Sequence, residues 1–442
     1  MMEISSRDWY SLVRDADGLF RSLFPICRSI TGDGTRQTLM LLRELAEFQV
    51  HEVPSGTRCY DWTVPEEWNV QDAFVADSSN KRLIDFRKNN LHLVNYSIPF
   101  SGTLSFDELV PHLHTLPELP TAIPYRTTYY NRDWGFCLSQ EQFQKLDRQA
   151  RYQVVVDASL QPGHLTYGEA LLPGRSGQEY LITTYLCHPS LANDNLSGIV
   201  LWTLLLREMR SLTLRHSYRF VIAPETIGAL VYISRNEAAV KALAGGFVVT
   251  TVAGPGRIGY KPTWQGDSVI DRIVRLAFRN LGLEYIEYPF DASGSDERQY
   301  STPGLRIPMG TICKDKYFEY DYYHTSLDDL SFIRPEALVE TLKAYLHVIA
   351  AIEDNQIYRS LNPIGEPMLG KRGLYPKTGG ALRQKAGRTA ADFNELDAFR
   401  WVLFYADGRT SLLEVAERTG LSIRVLAAAA EKLVAGGLLL QD

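Results

Sequence analysis

The sequence predicts an α/β protein: a core of mainly parallel sheet covered by helices, an all-β insertion, and a small helical domain at the C-terminal end. Three observations carry this. Strand-like and helix-like apolar runs alternate over residues 161–354. Short aromatic and β-branched runs replace that alternation between 57 and 160. A segment rich in Gly, Pro, Lys and Arg at 355–390 separates the core from a third texture at 391–442. A chain of 442 residues exceeds one ordinary core, so two or three domains are expected.

In order along the chain, RDWYSLVRDADGLFRSLF (7–24) repeats apolar residues at helical spacing. RQTLMLLRELAEF (36–48) does the same after the breaker TGDGT. WTVPEEWNVQDAFVAD, NLHLVNYSIPFSG, IPYRTTYYNRDWGFCLS and RYQVVVDAS are short runs split by Pro, Gly and Asn, the pattern of antiparallel strands. The first helices (1–56) therefore belong with 161–354 in one core, and 57–160 interrupts it. In that core EYLITTYLCH reads as a strand and SGIVLWTLLLREMRSL as a helix. YRFVIAPET is the next strand and IGALVYISRNEAAVKAL the next helix. GGFVVTTVAG, DSVIDRIVRLAFRNLG and EALVETLKAYLHVIAAIED continue as strand, helix and helix. Such alternation implies a mainly parallel sheet with helices on both faces.

After the linker, DAFRWVLFYA reads as a helix, DGRTS as a turn, and LLEVAERTG and IRVLAAAAEKLVAGG as helices, with a short apolar end. That order resembles a winged helix. Residues 391–442 hold five Arg and Lys against eight Asp and Glu, a net −3, and the would-be reading helix is rich in alanine. Such a helix has few groups to pair with base edges, so packing or partner docking is expected and nucleic acid is not. The whole chain carries −6, which argues against an electrostatic grip on nucleic acid or an anionic membrane. It has no apolar run of membrane-spanning length, and MMEISSRDWY does not read as a signal peptide. Five scattered cysteines with no CxxC pair suit a reducing cytoplasm rather than a disulfide framework.

Ligands of open α/β sheets bind beyond the carboxyl ends of the strands. Three chemically loaded stretches fall there. His188 and Asp194 follow LITTYLC, Glu225 follows FVIAP, and His324 ends the long polar stretch from DASGSDERQ to YYHTSLDDL. Two imidazoles and a carboxylate make three ligands for Zn²⁺ and leave a fourth position open, as a catalytic zinc requires. Such a metal polarises a carbonyl and supplies a hydroxide near neutral pH. A carboxylate that is not a ligand is needed to carry the proton from water to the leaving amine, and Glu225 is the candidate.

HPSLANDNLSG resembles the ligand segment H-x-D…ANDN-x-SG of the M28-type zinc aminopeptidases, and PETIGAL their EE-x-GLLGS segment. GSDERQYSTPGLRIP is similar to their SDH-x-PF…GIP, and YYHTSLDDL to their H-T-x-x-D. The whole chain resembles a bacterial aminopeptidase-like family in which a peptidase core with zinc-exopeptidase-like layers carries an inserted β domain and a C-terminal winged helix. That family is associated with polysaccharide biosynthesis. FPICRSITGDGTRQTL, LHLVNYSIPFSG and LGKRGLYP carry this second resemblance. Two departures matter. Thr226 stands where the two-zinc enzymes have a second Glu, and Thr251 where they have an Asp. The resemblance then implies one zinc per chain, held by His188, Asp194 and His324, with Glu225 as general base.

Each assignment has a plainer alternative. Glu225 could be an N-terminal carboxylate on the IGALVYI helix, and His324 could precede a helix capped by Thr325 or Ser326. Asp296 is expected to hold a substrate amine or a ligand. Arg298, Tyr300 and Tyr323 are candidates for the pocket wall. Glu319, Asp321, Asp328 and Asp329 read as solvated surface. A Cys187–His188 nucleophile is rejected because neighbours on a strand face opposite ways. The function expected is a zinc exopeptidase or amidohydrolase, aminopeptidase-like, acting on a small peptide or amino-acyl conjugate. The alternative is a metal-containing but non-hydrolytic module that docks a partner through the winged helix. The sequence assigns no role to the β insertion, for which a pocket lid or a homo-oligomer contact would be an ordinary use.

Overall fold

The computed structural model describes residues 7–375 and 394–441. Residues 376–390 of the predicted linker lie outside them. The described residues form two compact units, one of 7–266 and 285–342, the other of 267–284, 343–375 and 394–441.

The first unit is built on an eight-stranded sheet. Its spatial order is Gln49–Pro54, His164–Leu172, Ser217–Ala223, Glu179–Tyr185, Gly245–Val248, Met309–Lys314, Ile258–Lys261 and Ile286–Glu287. The four strands from Ser217–Ala223 to Met309–Lys314 are mutually parallel. Gln49–Pro54, His164–Leu172 and Ile258–Lys261 pair antiparallel, so the sheet is mixed rather than mainly parallel. Two of the parallel connections carry the predicted helices, Gly198–Arg210 and Ile227–Lys241, since parallel neighbours need a crossover.

Glu179–Tyr185 is the strand that positions the site. Six of its seven residues are buried, as a strand covered on both faces requires. The helix Gly198–Arg210 lies against it, with Trp202 Nε1 donating to Ile182 O at 3.1 Å. Its first residue must be glycine: a Cβ there would stand 2.5 Å from Val249 O and 2.2 Å from Asn195 Oδ1.

Within 57–161 four strands form an antiparallel sheet in the order Arg82–Asp85, Glu67–Ala76, Arg151–Gln161, Phe100–Ser105. Two short helices, Phe106–Leu109 and Gln140–Gln144, each begin with a capping box. This sheet does not have a core of its own. Trp68, Val75 and Val154 belong to the same buried apolar cluster as Leu181, Tyr185 and Val221 of the main sheet.

In the second unit the helices Glu395–Tyr405, Leu412–Thr419 and Ile423–Ala435 accompany a three-stranded antiparallel sheet. DGRTS is a strand, Asp407–Ser411, rather than a turn. It pairs with Ile357–Ser360, which lies in the stretch whose composition reads as linker, and that strand pairs with Leu439–Gln441. Val269–Leu281 groups with this unit, its Arg272 Nε donating to Glu417 Oε1 at 2.9 Å. No helix of the described residues is long and apolar enough to cross a membrane.

Candidate metal centre

Each functional stretch leaves the carboxyl end of a central strand. His188 follows Glu179–Tyr185, and Glu225 follows the parallel neighbour Ser217–Ala223. Asp194 sits in the buried turn Ala192–Ser197 that leads into the helix Gly198–Arg210. His324 arrives from the loop after Met309–Lys314.

The side chains of His188, Asp194 and His324 converge: one ligand atom from each lies within 4.8 Å of the others. Asp194 Oδ2 is 2.9 Å from His324 Nε2 and 3.9 Å from His188 Nε2. Asp194 is fully buried and His188 nearly so. Although close, Asp194 Oδ2 and His324 Nε2 are both buried without a hydrogen-bond partner. Buried polar atoms rarely stay unsatisfied. A carboxylate oxygen and two imidazole nitrogens aimed at one another are the donor chemistry of Zn²⁺, so these residues fit the metal. Burial holds the His188 imidazole down to about 4, against the pull of Asp194, and keeps it neutral as a ligand must be. Burial pushes the Asp194 carboxyl up, but His188, His324 and Tyr185 outweigh it and its pKa lies below the ordinary aspartate value.

The other oxygen of Asp194 is engaged. Tyr185 donates its hydroxyl to Oδ1 at 2.5 Å and meets Thr250 Oγ1 at 2.7 Å. Asp328 fixes the backbone of the same turn, accepting from Asn193 N–H at 2.6 Å and Asp194 N–H at 2.9 Å. Asp328 is therefore fully buried, not solvated surface. Its place in the H-T-x-x-D spacing was the available signal. Nor does a helix follow His324: Thr325 Oγ1 donates to Tyr322 O within a turn.

Glu225 is half-buried and does not cap the next helix, whose flanking residue is Thr226. Ser295 Oγ donates to Glu225 Oε1 at 2.8 Å. Burial, then the charges of Asp296 and Asp194, push its carboxyl well above the ordinary glutamate range. Asp296 is buried and accepts from Thr226 N–H at 2.8 Å; burial raises its pKa too. Arg298 is exposed and reaches Thr226 Oγ1 at 3.2 Å. Tyr323 stacks on His324 with centroids 3.9 Å apart. Tyr300 is fully buried in the core and lines nothing open.

Cys187 sits past the strand end, so strand alternation does not separate it from His188. Its Sγ lies 3.5 Å from His188 Nδ1 and accepts from Glu225 N–H at 3.3 Å. Cys187, His188 and Glu225 thus form a second group of close donors. Burial and then Glu225 push the thiol well above its ordinary pKa, which disfavours a thiolate nucleophile or ligand. All five cysteines are unpaired.

Two further contacts had no sequence signal. Arg28 is fully buried without a carboxylate partner, and donates to His188 O at 2.8 Å and Leu23 O at 2.8 Å. Tyr125, from the β-rich insertion, packs its ring 5.2 Å from His188 and 5.0 Å from His324.

Comparison with known proteins agrees with this architecture. A Clostridium acetobutylicum protein, named as a polysaccharide biosynthesis protein with an aminopeptidase-like domain, is 45% identical over 94% of this chain and 93% of its own. A crystal structure named as a peptidase from the same organism superposes with a TM-score of 0.89 at 42% identity, covering 98% of this chain and 97% of that one. A zinc aminopeptidase from Bacillus subtilis gives a TM-score of 0.56 at 14% identity over 78% of this chain and 95% of its own, a likeness of fold. The M28 peptidase precursor of Shewanella amazonensis gives 0.51 at 14% identity over 77% of this chain and 95% of its own. A winged helix-turn-helix model matches residues 356–441. Residues 18–355 match the family model described as a domain of unknown function, DUF4910, and the chain belongs to that family, with an aminopeptidase-like fold followed by a winged helix.

Proposed function

We propose that this protein is a zinc-dependent amidohydrolase of the exopeptidase type. One zinc is held by His188, Asp194 and His324, and Glu225 is the general base. The observation that carries this reading is the pair of buried, unsatisfied donors Asp194 Oδ2 and His324 Nε2, 2.9 Å apart beside His188. Zinc bound there supplies Lewis-acid polarisation of an amide carbonyl and lowers the pKa of water.

The chain's own residues supply the rest. Ser295 occupies Glu225 Oε1 and leaves Oε2 to take a proton from the attacking water and return it to the leaving amine. Burial, with the charges of Asp296 and Asp194, raises that carboxyl above the ordinary glutamate range, the direction in which proton-exchanging carboxylates are tuned. Asp296, beside Glu225, is the group to hold a free substrate amine, with Arg298 and Tyr323 at the pocket wall. The substrate class is a small peptide or amino-acyl conjugate, and the name of the Clostridium relative supports a role in polysaccharide biosynthesis. Five unpaired cysteines suit a reducing cytoplasm.

A second reading rests on Thr226 and Thr251, which stand where the resembled enzymes carry acids. In that reading the centre binds metal without hydrolysis, and the winged helix docks a partner. One experiment separates the two: zinc content and turnover of amino-acyl amides and small peptides, for the wild type and Glu225→Gln. Hydrolysis predicts turnover by the wild type, lost by roughly 10²–10⁴-fold in Glu225→Gln with zinc retained. Metal without turnover on any amide supports the binding module, and metal-free protein in both samples sinks both readings.

A further inference from the structure

We propose that the β-rich insertion is a working part of the metal centre, its segment 122–129 clamping the His324 loop and its Tyr125 orienting both imidazoles. This rests on the zinc reading above. It gives a role to three stretches the proposed chemistry leaves unused: FPICRSITG, LVNYS and IPYRTTYY.

The clamp is a short antiparallel pairing. Tyr125 N–H donates to His324 O at 2.8 Å, and Ser326 N–H donates to Ile123 O at 2.8 Å. Ile123 N–H donates to Ser326 Oγ at 2.9 Å, and Pro124 bridges Thr325 between them. His324 itself has φ 55°, in the left-handed region that only a few per cent of non-glycine residues occupy, although His enters it more readily than most. Its ring is bracketed: Tyr323 stacks on it, and Tyr125 stands at 89° to it. Tyr125 is in turn fixed by a 2.8 Å contact between its hydroxyl and that of Tyr129.

The same segment reaches the backbone of the other histidine by hydrogen bonds. Asn95 N–H donates to Arg126 O at 2.8 Å, and Thr128 N–H returns to Asn95 O at 3.0 Å. Asn95 Nδ2 donates to Arg28 O at 2.9 Å, and Arg28 Nε donates to His188 O at 2.8 Å. A continuous path thus runs from His324 through the segment 125–126, Asn95 and Arg28 to His188, and its two ends hold the backbone carbonyls of the two ligand residues. Groups that orient metal ligands in this way commonly set affinity by 10–100-fold. Coupling of this kind is reciprocal, so zinc must order the segment by the factor with which the segment favours zinc.

Two measurements on the full chain test this. The first is zinc affinity by competition with a fluorescent chelator. Tyr125→Leu, which keeps an apolar side chain but no ring, is expected to lose 10–100-fold, whereas Tyr125→Phe retains most of the affinity. The second is amide hydrogen exchange of the wild type with and without zinc. Exchange in 122–129 and at 324–326 is expected to slow together, while the helix Trp9–Leu23 is unaffected. Tyr125→Leu binding zinc as the wild type does would overturn the clamp. So would zinc that protects 324–326 and leaves 122–129 unchanged, a result that stands even if the Leu variant does not fold. Wild-type protein that competes for no zinc would show that the metal reading itself has failed.

Discussion

Asp194 presents two unequal oxygens. Oδ2 faces the two imidazoles, while Oδ1 takes the Tyr185 hydroxyl at 2.5 Å. The Tyr185 hydroxyl on Oδ1 competes with a second metal for that oxygen. Tyr185→Phe leaves Oδ1 buried without its donor. Zinc affinity should fall about 10–100-fold with the fold kept, as read by chelator competition beside circular dichroism; unchanged affinity would remove Tyr185 from the centre. His188 predicts a pH dependence in the metal-free chain. Its folded pKa is depressed to about 4 by burial, against about 6.5 unfolded. Unfolding therefore takes up a proton between those values. The stabilisation is full above pH 6.5 and is lost as pH falls towards 4, by roughly 2 kcal/mol on reaching pH 5. Urea unfolding at pH 7 and pH 5 should show that loss in the wild type and a smaller one in His188→Gln; parallel losses would contradict it. The convergence of His188, Asp194 and His324 was legible because strand-end chemistry and motif spacing lie in short stretches of sequence. Tyr185 and Tyr125 were not: each is an aromatic in an apolar run, and only the folded chain shows which of many aromatics meets a carboxylate or an imidazole.

At the scale of elements, the turn that carries Asp194 depends on how closely the helix Gly198–Arg210 approaches the sheet. In Gly198→Ala the new Cβ would meet Asn195 Oδ1 at 2.2 Å and Val249 O at 2.5 Å. One contact is backbone, so the helix must shift. The variant should lose about 1–3 kcal/mol in urea unfolding and bind zinc more weakly; wild-type values for both would contradict the packing. The alternation of strands and helices over 179–282 was legible where helices of 13 to 15 residues show their period, whereas the four-residue strand Ile258–Lys261 was too short to read. Nor was the direction of pairing legible. Six of the nine residues of His164–Leu172 are buried, a pattern shared by parallel and antiparallel strands. Ile357–Ser360 and Asp407–Ser411 are too short and polar to show a period of two, and their identity as strands comes from partners far along the chain.

At the scale of the molecule, an aminopeptidase-like first unit is followed by a winged helix, and the order of these parts was legible from changes of texture along the sequence. The insertion's place was not. Its strands contribute to the same apolar cluster as the main sheet, and its segment 122–129 lies against His324, contacts that no local pattern encodes. The candidate centre therefore draws on the segment after the helix Trp9–Leu23, the insertion and the strand ends together. Two donor groups compete on paper, His188–Asp194–His324 and Cys187–His188–Glu225, and only the second includes sulfur. Zinc K-edge X-ray absorption of the zinc-loaded full chain distinguishes them. The predicted spectrum is that of one zinc per chain with two imidazoles and oxygen donors at about 2.0–2.2 Å; a sulfur shell near 2.3 Å, or two zincs per chain, would contradict the account.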